Sequence, residues 1–106
     1  MKRKIKSFEI IGIVKDKLNT NHDVIVELSD SKKYTATFFT LLNIQHLMSY
    51  YKQVSGECNG GTFFWASDMC IIEVFEEDLI RESITTMMDE HYFENVFKLI
   101  PSQEIK

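Results

Sequence analysis

The chain has 106 residues, of which 44% are hydrophobic, 12% aromatic and 26% charged, with four glycines and one proline. That balance describes one folded domain over 1–106 and excludes a disordered tail, a collagen-like repeat and a Pro-rich linker. The net charge of −4 conceals an asymmetry: residues 1–56 hold nine bases and five acids (+4), residues 57–106 three bases and eleven acids (−8).

In chain order, the β-branched run at 8–14 predicts a first strand, with Gly12 marking a bulge or a close backbone approach. A polar turn over 18–23 leads to a second strand at 24–28. A short hairpin-type turn at 29–33 leads to a third at 34–39. Alternation puts Tyr34, Ala36 and Phe38 on one face, and Thr35, Thr37 and Phe39 on the other. Thr40 is the expected N-cap of a helix over 41–54, carried by Leu41, Ile44, Leu47, Met48, Tyr51 and Val54 and closed by Gly56 in a left-handed cap. After a glycine-rich turn at 57–61, the segments 62–66 and 70–75 read as two strands of a second hairpin. Glu76, Glu77 and Asp78 open a helix over 78–89, where the helix dipole favours carboxylates. Its stripe is Ile80, Ile84, Met87 and Met88, with His91 beyond. A short second helix is expected from Phe93, Val96, Phe97 and Ile100, ended by Pro101. The order β-β-β-α-β-β-α-α predicts an α+β domain: an antiparallel sheet of about five strands with helices packed on one face.

Chemistry-bearing residues are sparse. His22, His46 and His91 have no metal-ligand spacing and read as solvated or packing side chains. Cys58 lacks the histidine, cation or helix N-terminus that activates a thiol, and Cys70 reads as a small core residue. Residues 56–61 are not a phosphate loop: no Gly-Lys-Ser/Thr ends them, and a strand rather than a helix is expected next. The basic residues 2–6 have no interleaved aromatics and read as a solvated, frayed terminus. Phe63 and Trp65 alternate with Phe64, but the neighbouring charges, Glu57 and Asp68, would repel nucleic acid. Glu76-Glu77-Asp78 lacks the glycine and ligand spacing of a calcium loop. The expectation is therefore no catalytic residue, no metal, no cofactor and no enzyme. No apolar run approaches the roughly 18 residues of a membrane span, and no hydrophobic segment follows the basic start as a signal peptide requires. Two cysteines make neither a zinc quartet nor a disulfide framework. A cytoplasmic protein with both thiols reduced is expected.

The positive signal is the run of acids Glu73, Glu76, Glu77, Asp78, Glu82, Asp89, Glu90 and Glu94. It is either a solvated helix face or a docking surface that steers a basic partner. In size, acidity and compactness the chain resembles the immunity proteins of bacterial contact-dependent growth inhibition and polymorphic toxin systems. Residues 56–75, with their Gly-Gly turn and Phe-Phe-Trp-Ala-Ser-Asp run, are similar to segments of small bacterial proteins. The resemblance implies a stoichiometric inhibitor without catalysis, covering the active site of a basic toxin domain, plausibly a nuclease. Neither nucleic acid nor membrane is expected as a partner. The residues expected at the interface are Glu73, Glu76, Glu77, Asp78 and Glu82, with Trp65 or Asp68 as a non-electrostatic anchor. The alternative is a small ligand-binding domain or enzyme with a pocket near 57–61, Trp65 and Asp68.

Overall fold

The backbone follows the hydrophobic pattern wherever that pattern is supported by turn chemistry. The computed structural model describes residues 3–101. β1 (Ile5–Ile10), β2 (Asn21–Leu28) and β3 (Lys33–Thr40) form an antiparallel meander. β2 and β3 alternate cleanly. Val24, Val26, Leu28, Tyr34, Ala36 and Phe38 bury one face, while Ile25, Thr35 and Thr37 stay half-exposed on the other. β1 starts earlier than expected and stops before Gly12, whose φ of +96° lies outside the strand region. Its register shifts between Ile5 and Ser7, so the bulge absorbs the three-residue step from Ile5 to Phe8 and returns both to the core side.

β3 is the central strand, and its far edge is divided between two short strands. β4 (Met69–Ile72) runs parallel to Thr37–Thr40, and β5 (Lys98–Ile100) runs antiparallel to Lys33–Thr35. The domain is thus α+β with a five-stranded sheet, antiparallel except along β3–β4. The expected second hairpin does not form. Residues 62–66 pair with no strand, and β4, their expected partner, pairs with β3 alone and in parallel. A parallel pair instead requires a crossover, supplied by residues 41–68: α1 (Leu41–Tyr50), a π-helical turn (Tyr51–Ser55), α2 (Glu57–Gly61) and an extended stretch. α2 is one turn of left-handed sense, with Cys58, Asn59 and Gly60 all at φ between +52° and +66°. Gly61 has to be glycine, since a Cβ there would overlap the carbonyl oxygen of Met48 in α1.

α3 (Glu77–Asp89) buries Ile80, Ile84 and Met87 on the sheet, the stripe its spacing announces. α4 (Phe93–Val96) adds Phe93, and Phe97 follows in extended conformation. The expected helix to Ile100 is corrected: it ends at Val96, and Lys98–Ile100 become β5. Phe93 stacks on Phe97 at 4.6 Å and meets Tyr34 edge-on at 5.1 Å, which closes the core. Nor is the start frayed from residue 3 onward. Arg3 donates to Glu94 at 3.0 Å and to the Tyr34 hydroxyl at 3.1 Å, over the Tyr34 and Phe93 rings. Burial opposes the Arg3 cation, but these two hydrogen bonds and the Coulombic attraction of Glu94 and Tyr34 together outweigh it and raise its pKa.

Candidate functional site

The acidic stretch begins where β4 ends. Glu73 lies in the bend after β4, and Phe75 turns inward and is buried. Its amide donates to the Lys17 carbonyl at 2.7 Å, tying the start of α3 to the β1–β2 loop. Glu76 takes the N-cap position of α3 in extended conformation, without a side-chain cap bond. Ser, Thr, Asp or Asn would normally fill that position. Glu77 and Asp78 follow in the first turn, favoured by the helix dipole.

These three acids line a cleft of about 360 Å³ together with Ile10, Val14, Lys17 and Phe75. The floor is apolar, the α3 side of the rim is three carboxylates, and Lys17 is the one base among the lining residues. Beside it, Ile11, Ile13 and Leu18 of the same loop are exposed. The loop is held by His22, whose ring meets Phe75 edge-on at 4.9 Å. His22 Nδ1 lies 2.8 Å from the Ile11 carbonyl, and Nε2 lies 2.7 Å from Thr20 Oγ1. A carbonyl only accepts, so Nδ1 carries a proton toward it, and Nε2 shares a hydrogen bond with the Thr20 hydroxyl. His22 is thus a packing histidine that shapes the cleft.

Of the expected interface residues, Glu76, Glu77 and Asp78 come together in this cleft, with Glu73 before them and Glu82 exposed one turn further along α3. None of these five acids has an ion-pair partner among the described residues. Trp65 and Asp68 are not among the lining residues. Trp65 is exposed on the crossover. Asp68, at φ +49°, is half-buried, and its carbonyl accepts from the Thr37 amide at 2.8 Å, which starts the β3–β4 pairing. Sequence reasoning missed Ile10, Val14, Lys17 and Phe75. The signal available was the apolar run Ile11–Gly–Ile–Val14, which continues past the glycine without strand pairing.

Residues 57–61 are taken up by the left-handed turn against α1. Cys58 and Cys70 are free thiols, and burial raises the pKa of Cys70. Among the described residues no three His, Cys, Asp or Glu converge on a metal position, and no helix is long and apolar enough to cross a membrane. The chain matches no family model, no curated protein and no solved structure.

Proposed function

We propose that this chain is a non-enzymatic inhibitor, an immunity protein that binds a basic toxin domain in the cytoplasm and covers its active site. The observation that supports this reading is the cleft at the start of α3, where an apolar floor meets Glu76, Glu77 and Asp78, none of them neutralised by an ion pair among the described residues. Like charges gathered this densely repel one another, and a Lys- or Arg-bearing surface would relieve that repulsion. Glu73 and Glu82 extend the field to either side and would speed encounter more than they would tighten the complex.

The test is co-expression of the chain with a growth-arresting basic toxin domain encoded beside its gene, combined with a charge-reversal scan of Glu73, Glu76, Glu77, Asp78 and Glu82. Wild type should restore growth and bind the toxin domain. Glu73→Lys and Glu82→Lys should lower kon. Reversal at a carboxylate buried against a toxin base should cost roughly 2–5 kcal/mol, mainly through koff. If four or more reversals leave protection and binding intact in a folded protein, the acidic face is only solvated and the reading fails.

A further inference from the structure

The crossover between β3 and β4 has a composition unlike the rest of the chain. Across residues 41–67 the charged side chains are Lys52 and Glu57 alone, so 27 residues hold two charges of opposite sign, against 28 charged residues in 106 overall. The same stretch leaves large apolar side chains in water: Trp65 is 67% exposed, Val54 68%, Tyr50 53% and Phe63 49%. Of the ten residues of α1 only Ile44 is buried; Leu47 and Met48 are half-buried, and the stripe's two ends, Leu41 and Val54, are exposed.

An aromatic row runs through the same segment and begins at exposed Tyr50. Tyr50 meets Tyr51 at 6.4 Å, Tyr51 stacks on Phe64 at 6.4 Å and 8°, and Phe64 meets Phe39 edge-on at 5.1 Å. Phe39 is the register neighbour of exposed Ile71. Phe64 is turned inward, while Phe63 and Trp65 on either side of it are exposed. Depletion of charge with enrichment of aromatics marks the core of a protein–protein interface.

We infer that this neutral aromatic face joins two copies of the chain. Electrostatics gives a basic partner no advantage here and leaves a second copy unopposed. A basic partner gains nothing from a face whose two charges cancel. Two copies carrying −4 each would repel wherever their acidic halves met, and the crossover lets them meet without opposing like charges. Trp65, Phe63, Tyr50 and Val54 alone expose roughly 500 Å². Ile71, in register with Phe39, and Leu41, at the start of α1, are also exposed and bring the total toward the ~800 Å² per partner of a standard interface. A two-fold arrangement would use the same patch on both copies and leave the α3 cleft free.

The test is sedimentation velocity and light scattering on the full chain, from ~1 μM to ~1 mM and at ~0.05 and ~0.5 M salt. The expected mass rises with concentration from 12.5 kDa toward twice that value. Dimerisation strengthens with salt, because screening removes repulsion between like-charged copies. Trp65→Glu and, separately, Val54→Glu each weaken it at least ~10-fold, with unchanged circular dichroism of the monomer. Glu77→Lys leaves the dimer intact, which separates this inference from the toxin-binding reading. A monomer throughout overturns the inference. So does a dimer indifferent to both substitutions, or one that salt dissolves. A monomer whose Trp65→Glu variant loses toxin binding also overturns it and assigns the face to the toxin.

Discussion

Thr40 shows how much one side chain carries in this fold. It is fully buried at the junction of β3 and α1. Its Oγ1 accepts from the Thr20 amide at 3.1 Å and from the Asn43 amide at 3.3 Å, and donates to the Thr20 carbonyl at 3.3 Å. One hydroxyl therefore caps α1 and satisfies the backbone of the loop entering β2. Asn43 extends the link, donating to Asn19 Oδ1 at 3.0 Å and accepting from Asn21 Nδ2 at 2.8 Å. Thr40→Val keeps the volume but strands the Thr20 amide and uncaps the helix, so it should cost about 2–3 kcal/mol in urea unfolding. Thr40→Ser should cost under ~1 kcal/mol. A larger loss from Thr40→Ser than from Thr40→Val would show that packing of the methyl group, rather than the hydroxyl, is what matters. This role was half legible. The cap could be read from a threonine ahead of a helical stripe, but the bond to Thr20 joins positions twenty residues apart and has no local signature.

Among elements, those read correctly have local determinants. β2, β3 and the turn between them combine β-branched alternation with Ser, Asp and Lys at the reversal. α3 has a stripe that only a helix brings to one face. The elements misread depend on what lies beside them. Residues 62–66 have the side chains of a strand but no ladder neighbour, and β propensity acts only where a neighbour exists. The run from Val96 to Ile100 suits either period, and β3 decides it by offering an open edge at Lys33–Thr35. The cleft was legible in the same proportion: three consecutive acids at a helix start can be read directly, whereas Ile10, Val14 and Lys17 arrive from about sixty residues away. The crossover forms its own small cluster, and its anchors, Ile44 and Phe39, lie outside the main core. Phe64→Ala should therefore loosen the crossover without unfolding the sheet. Hydrogen exchange should speed up at amides of 41–66 and stay unchanged in β2 and β3. Equal acceleration everywhere would mean that the crossover and the sheet unfold as one unit.

At the scale of the whole molecule, charge distinguishes the two proposed surfaces. The radius of gyration, 15.4 Å with a long axis of 48 Å, exceeds the ~13 Å expected of a compact chain of this length. Charge is distributed as unevenly as mass, and along α3 it works against the fold. Asp78 and Glu82 are both exposed and stand four residues apart on one helix face. That like-charge spacing costs about 0.2–0.5 kcal/mol. Glu82→Lys turns the repulsion into an acid-before-base pair, so the free protein should gain about 0.5–1 kcal/mol at low salt. The gain should shrink as the screening length falls to about 8 Å near ~0.15 M salt. The same substitution removes a carboxylate from the face proposed to steer a basic toxin, so association with that toxin should slow at the same low salt. Stability and binding are thus predicted to move in opposite directions from one substitution, and both effects should fade together as salt rises. Urea unfolding and stopped-flow association on the same preparation would read the two. A variant that gains stability while its association rate stays at the wild-type value would show that the acids of α3 burden the fold without serving a partner, and would remove Glu82 from the proposed interface.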